Sequence, residues 1–184
     1  MKNNFTNLRI VSGSLKGREI LAPKDEKTHP MGSRERLALL NMIGPAVEDA
    51  TILDAFAGTG AIGIEALSRG AKKVVFTEKD RKTAEILNQN LENLGLKEKA
   101  EIMVEKVEKS SFENLSGDEF DFVIADPPYD KLEEIRKETF NDLLKLSKKL
   151  FILSHPENFN LDFIEGKLLS TKKYAAARLS TFTF

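Results

Sequence analysis

An α/β fold on a mostly parallel sheet follows from three features of the 184-residue sequence. Short apolar runs alternate with helix-period segments from residue 50 onward, a glycine-rich turn joins the first such run to the next helix, and a β-prone pair closes the chain. With 41% apolar residues, one core and one domain over 1–184 are expected. Within it, residues 1–45 read as an N-terminal β-hairpin and helix extension, and residues 50–184 as the sheet.

In chain order, Leu8-Arg-Ile-Val11 and Arg18-Glu-Ile-Leu21 flank Ser12-Gly-Ser-Leu-Lys-Gly17 and read as a hairpin. Lys24 to Gly32 is polar, with Pro23 and Pro30, so a loop leads to Ser33 as a helix N-cap. The helix Arg34 to Met42 puts Leu37, Leu40 and Ile43 on one face and points Arg34 outward, and Gly44-Pro45 ends it. The first parallel strand begins near Thr51. A helix from Ala61 to Ser68, a strand Lys73-Val-Val-Phe-Thr77 and a helix from Lys82 to Leu94 follow, the last with Ala84, Leu87, Leu91 and Leu94 on one face. Glu101-Ile-Met-Val104 and Phe120-Asp-Phe-Val-Ile-Ala125 are the next strands. Leu132 to Leu146 reads as an amphipathic helix, Leu150-Phe-Ile-Leu153 as a fifth strand, and Lys167 to Tyr174 with Arg178 to Phe184 as an antiparallel pair.

The chemistry concentrates at two strand ends. Asp54-Ala-Phe-Ala-Gly-Thr-Gly-Ala-Ile-Gly63 is a strand that ends in an acid, turns through glycines and starts a helix, which is a site for a nucleotide-like ligand. Gly58 and Gly60 let the backbone approach that ligand, and Gly63 lets the helix sit tight on the sheet. The same string satisfies the dinucleotide pattern G-x-G-x-x-G, so a nicotinamide-binding protein is the competing reading. Asp54 separates the two, because a carboxylate there suits a cationic ligand and repels a pyrophosphate. S-adenosylmethionine, with a sulfonium, an ammonium and no phosphate, fits. Glu78, at the end of the second strand and twenty residues past Gly58, is placed to accept from ribose hydroxyls. Asp54, Phe56, Gly58, Gly60 and Glu78 therefore form the expected cofactor set. After the third strand, Glu105 or Glu108 is within reach of an adenine amine, though solvated carboxylates are the plainer reading.

The second strand end is Asp126-Pro-Pro-Tyr129, where two prolines stiffen the backbone just past an apolar strand. The turn gathers the Asp126 carboxylate, the Pro127 carbonyl and the Tyr129 ring. An exocyclic base amine is a poor nucleophile because its lone pair is conjugated with the ring. Two acceptors aimed at its hydrogens favour the pyramidal geometry that attacks, and an aromatic face holds the base. Asp126, Pro127 and Tyr129 are the expected catalytic residues.

Composition narrows the rest. The absence of cysteine excludes a disulfide framework and a thiolate nucleophile, and so argues against methylation of a pyrimidine ring carbon. His29 and His155 are far apart in sequence, so no metal is expected. No apolar run reaches the length of a membrane span, and a soluble, cytoplasmic monomer is expected. The net charge of −1 conceals an asymmetry: residues 1–36 hold eight Lys/Arg and four acids, and the remainder is net −5. A basic extension on an acidic body suits nucleic-acid phosphates, with Arg9, Arg18, Arg34 and Arg36 as the expected contacts and a solvated arm as the alternative.

The chain resembles the bacterial family that methylates the 2-amino group of one guanine in 16S ribosomal RNA, the small-subunit rRNA (guanine-2-amino) methyltransferases of the D type. The resemblance runs through Arg9-Ile-Val-Ser-Gly-Ser-Leu-Lys-Gly-Arg18, His29-Pro-Met-Gly-Ser-Arg-Glu-Arg36, Leu53-Asp-Ala-Phe-Ala-Gly-Thr-Gly60, Glu65-Ala-Leu-Ser-Arg-Gly70 and Asp126-Pro-Pro-Tyr129. It implies a Rossmann-like class I methyltransferase fold with a seven-stranded, mostly parallel sheet and an antiparallel last strand. It also implies S-adenosylmethionine at Asp54 to Gly60 and Glu78, the base at Asp126 to Tyr129, and 16S rRNA or the small ribosomal subunit as partner. This chain departs from the family pattern at His29-Pro-Met-Gly-Ser33, at Leu37, at Val107 where an adenine-contacting Asp is usual, and at Ala175-Ala-Ala177. A DNA adenine 6-amino methyltransferase shares the catalytic string but normally needs a recognition domain. A non-catalytic RNA-binding module would not need Asp126.

Overall fold

The computed structural model describes residues 5–23, 31–108, 115, 120–174 and 177–184. The loop around His29 and Pro30, and Ala175 with Ala176, lie outside the described residues. Strands β1 (Phe5–Arg9) and β2 (Glu19–Pro23) form an antiparallel hairpin, and α1 (Ser33–Ile43) follows. Then come β3 (Thr51–Asp54), α2 (Ala61–Ser68), β4 (Lys73–Thr77), α3 (Arg81–Leu94) and β5 (Ala100–Met103). The second half holds β6 (Phe120–Ala125), α4 (Lys137–Lys145), β7 (Ser147–His155), β8 (Lys167–Tyr174) and β9 (Ala177–Thr183).

The main sheet has seven strands in the order β5-β4-β3-β6-β7-β9-β8, parallel throughout except where β9 runs antiparallel to both neighbours. This is the expected sheet. Its strand order turns back between β3 and β6, and in open sheets the crevice at such a switch point, outside the carboxyl ends of the strands, is where ligands bind. The central strands are buried on both faces and so alternate between two cores. Ile52, Val74, Phe76, Phe122 and Ile124 meet α1, α2 and α3 on one face, and Leu53, Val75, Val123, Phe151 and Phe182 meet α4 on the other. Gly63 allows the tight seat of α2, since a Cβ there would stand 2.2 Å from Phe76 Cε1 and 2.9 Å from Val74 Cγ1.

Local details differ from the pattern-based expectation for physical reasons. In α1 the inward residues are Arg36, Leu39, Leu40 and Ile43, while Leu37 is exposed. The helix is turned because a guanidinium, not a leucine, fills the inner position. Ser33 is the first helical residue and Gly32 the cap, with no side-chain capping bond. The segment expected as one helix from Leu132 to Leu146 divides into a 3₁₀ turn, Tyr129–Glu134, and α4, because Ile135 and Arg136 are extended between them. The α3 boundaries follow local chemistry: Asp80 accepts from Thr83 N at 2.8 Å, and Gly95 closes the helix at φ 69°.

The hairpin is fixed to the sheet domain by a buried clamp. Both Glu65 and Arg36 are almost fully buried. Glu65 accepts from Val11 N (3.0 Å), Ser12 N (2.7 Å) and Ser12 Oγ (2.8 Å), and its carboxylate lies 3.8 Å from Arg36 Nε. Arg36 donates to the carbonyls of Met31 (2.6 Å) and Arg9 (2.9 Å). Ser68 adds bonds from Ser14 N to its carbonyl and from Leu15 N to its hydroxyl. Gly13 fits against it at φ 77°, where a Cβ would stand 1.9 Å from the Ser68 carbonyl oxygen. Two strings far apart in sequence, Ser12-Gly-Ser14 and Glu65-Ala-Leu-Ser68, are therefore one structural unit.

Candidate active site

The carboxyl ends of β3, β4 and β6 bring the two expected strings together. Asp54 ends β3, opposite Ile124 of β6 in register, and is wholly buried. Its Oδ2 accepts from Gly63 N at 2.9 Å, whereas Oδ1 has no partner. Burial, with the nearby charges of Asp126 and Glu78, pushes its pKa up to about 7 against the bond from Gly63. Glu78 braces the glycine turn: one oxygen accepts from Gly58 N at 2.9 Å and the other from Asp80 N at 2.8 Å. A carboxylate has about four acceptor positions, so both oxygens retain capacity for hydroxyl donors.

Gly58 and Gly60 both have positive φ, 54° and 82°, but they serve different ends. The space a Cβ of Gly58 would enter is open, consistent with a ligand approach. At Gly60 that direction is filled by Leu87 Cδ1, 2.2 Å away, so this glycine lets α3 pack. Phe56, half-buried, packs against the α4-side core.

Among the described residues, the buried side-chain oxygens without a partner are Asp54 Oδ1, Thr77 Oγ1 and Glu105 Oε1. All three lie at or just past the carboxyl ends of three adjacent strands, β3, β4 and β5. Buried acceptors left unpaired are costly, and their alignment along one edge fits a ligand rich in N–H, O–H and cationic groups. An amino-acid ammonium, ribose hydroxyls and an adenine amine meet that description. Val107 is buried in the apolar core, so the carboxylate with an unpaired oxygen past β5 is Glu105.

At the end of β6, Asp126 is held near the cleft with its pKa raised to about 6, chiefly by burial, while a hydrogen bond from Ser154 opposes the rise. Tyr129 OH lies 2.7 Å from Ser154 Oγ. The Ser154 proton serves the acceptor-only carboxylate, so Tyr129 donates to Ser154 Oγ. Pro127 is buried beside them and the Tyr129 ring is partly exposed. Ser154, fully buried near the end of β7, was missed by sequence reasoning. The polar pair Ser154-His155 closing an apolar strand was its signal. His155 itself is occupied structurally, with Nδ1 2.9 Å from the Pro156 carbonyl and Nε2 2.8 Å from Ser180 Oγ.

The expected phosphate contacts divide. Arg9, exposed and 3.5 Å from Glu19, Arg18, whose Nη2 reaches the Asn93 carbonyl at 3.3 Å, and Arg34, exposed on α1, are at the surface. Arg36 is 2% exposed and engaged in the clamp. It cannot reach a phosphate without dismantling that clamp, which corrects the sequence-based assignment. Among the described residues no group of three His, Cys, Asp or Glu is placed to hold a metal, and no helix is long and apolar enough to cross a membrane.

The raised pKa of Asp54 gives a pH signature. Between about 4, the ordinary value, and about 7, the folded state binds a proton that the unfolded state has released, so this group's contribution to stability falls as pH rises. His155, lowered by burial, acts in the opposite sense over part of that window. The expected result is that Asp54→Asn gains stability relative to the unaltered chain as pH rises from 4 to 7, read as diverging urea midpoints; parallel midpoints would contradict it.

The family model described as "Conserved hypothetical protein 95" matches residues 8–179. A Bacillus subtilis protein named "Putative rRNA methyltransferase YlbH" is 30% identical over 169 residues, covering 90% of this chain and 92% of that protein. The Haemophilus influenzae "Ribosomal RNA small subunit methyltransferase D" is 38% identical over 127 residues, 66% of this chain and 64% of that protein. The chain thus aligns with less than two thirds of the Haemophilus protein. A solved Escherichia coli structure described as "Putative methyltransferase yhhF" superposes with TM-score 0.81 at 28% identity, covering 96% of this chain and 97% of that one.

Proposed function

The chain belongs to the family described as conserved hypothetical protein 95 and is similar to curated proteins named as ribosomal RNA methyltransferases, and on that premise we propose that it transfers a methyl group from S-adenosylmethionine to the exocyclic 2-amino group of a guanine in 16S ribosomal RNA. The observation that carries this reading is the juxtaposition, at one switch point, of the unpaired Asp54 oxygen and the Asp126–Ser154–Tyr129 assembly.

Asp54, Gly58, Glu78 and the buried oxygens of Thr77 and Glu105 form the cofactor side. Bound there, S-adenosylmethionine supplies an electrophilic methyl group on a sulfonium. Asp54 faces the positive charge, Glu78 takes hydroxyl donors, and Gly58 leaves the approach open. On the other side a guanine leaves its stack to reach the cleft. Tyr129, its hydroxyl tethered to Ser154, presents a fixed ring to the base. Asp126 and the Pro127 carbonyl accept the amine hydrogens, and Asp126 takes the proton as the new bond forms. Ser154 keeps the carboxylate oriented. Arg9, Arg18 and Arg34 engage phosphates.

Methyl incorporation into small-subunit particles from cells lacking the gene, with the modified nucleotide mapped, tests the reading. Label on a guanine 2-amino group supports it; label on another nucleotide only, or none where parallel incubation with DNA labels adenine, overturns it. Calorimetry adds a second check: S-adenosylmethionine is expected to bind and NAD is not, and Glu78→Ala should weaken cofactor binding by about 1–3 kcal/mol through lost charge-assisted bonds.

A further inference from the structure

A groove of about 290 Å³ runs between α1 and the edge strand β8, lined by Arg34, Leu37, Ala38, Asn41, Lys172 and Tyr174 among others. Its walls are regular. Arg34, Leu37, Ala38 and Asn41 share the outward face of α1 at spacings of three and four, and Lys172 and Tyr174 share one face of β8 at a spacing of two. Leu37 is on this wall because Arg36 occupies the inward position.

The groove sits at the catalytic edge. Across β7, β9 and β8 the register runs His155–Arg178–Lys173, so Tyr174 stands at the level of the end of β7, where Ser154 holds Asp126. The α1 wall, with Arg34 and Leu37, faces Lys172 and Tyr174 across the groove. The chain has two tyrosines and no tryptophan, and both tyrosines lie at this edge.

Resting on the function proposed above, we infer that this groove holds the RNA strand adjoining the reacting nucleotide, with Tyr174 as a stacking platform for a neighbouring base and Arg34 and Lys172 on its phosphates. The chemistry favours RNA. An aromatic face between two cations matches a base flanked by phosphates, as in single-strand binding grooves. The groove volume is at the low end of ligand pockets, ~300 Å³, which suits one base. It adds Arg34 and Lys172 to the surface cations of the hairpin, Arg9 and Arg18.

The two tyrosines make the test direct. In the full chain labelled with fluorotyrosine, fluorine NMR reads two signals, assigned by Tyr129→Phe and Tyr174→Phe. Titration with a short single-stranded RNA oligonucleotide at low salt is expected to shift the Tyr174 signal. Lys172→Glu, a surface change, is expected to abolish that shift and to lower the slope of log affinity against log salt by about 1–2. Tyr174→Ala is expected to weaken RNA binding by about 5- to 150-fold. A Tyr174 signal unmoved at saturating RNA overturns the inference. So does a Lys172→Glu defect seen with assembled small-subunit particles and absent with protein-free RNA, which assigns the groove to a protein partner. Methyl incorporation by the unaltered chain is measured alongside, so failure of the groove is distinguishable from failure of the methyltransferase reading.

Discussion

Asp126→Ala is expected to lower single-turnover methyl transfer to small-subunit particles by about 10²–10⁴ while cofactor affinity stays within a few-fold. The carboxylate is linked to the Tyr129 hydroxyl through Ser154, and the substitution removes both the orientation of the amine and the destination of its proton. Asp126 must be ionised to accept, and burial places its pKa at about 6, so the rate should rise with pH through about 6. Asp126→Asn should remove that limb. Ser154→Ala removes the hydrogen bond that holds the pKa down, so its limb should move to higher pH. Near wild-type transfer by Asp126→Ala would mean that the turn is structural and the catalytic assignment wrong.

Arg36→Met is expected to destabilise the fold by about 3–5 kcal/mol, the usual range for breaking a buried pair by removing one partner. Methionine fills much of the space but leaves the Met31 and Arg9 carbonyls without their donors and Glu65 buried with only the more distant charge of Arg69. Urea unfolding measures it, and a loss below ~1 kcal/mol, as for an exposed pair, would refute the clamp. Arg34→Ala, on the outward face of the same helix, should leave the unfolding midpoint in place and reduce the salt slope of RNA binding by about 1. The two arginines, alike in sequence, separate into one structural and one surface role.

The sequence made the sheet legible where physics writes it plainly. Strands β3, β4 and β6 are buried on both faces, so they appear as continuous apolar runs, each followed or closed by an acid at the edge where the site lies. The candidate residues Asp54, Glu78 and Asp126 stand at those strand ends, with Tyr129 three residues past the last of them. Arg36 was misread because periodicity treats a charge as an outward residue, and only a distant partner, Glu65, makes burial tolerable. Ser154 was missed because one hydroxyl ending an apolar strand looks like any strand terminus until β7 is seen beside β6. The break at Ile135 and Arg136 has no proline or glycine to announce it.

The clamp also orders events during synthesis. The hairpin β1–β2 is made before α2, yet a two-stranded ribbon alone is marginal in water, and the groups that secure it, Glu65 and Ser68, lie more than fifty residues further on. At a translation rate of about 5–20 residues per second, that interval lasts about 3–10 s. During it the basic strands are exposed without their anchor, and they settle only when α2 has left the ribosome and packed on β4. The hairpin is thus fixed only after α2 has been made, and a nascent chain halted before residue 65 should carry a hairpin as protease-sensitive as an unfolded peptide.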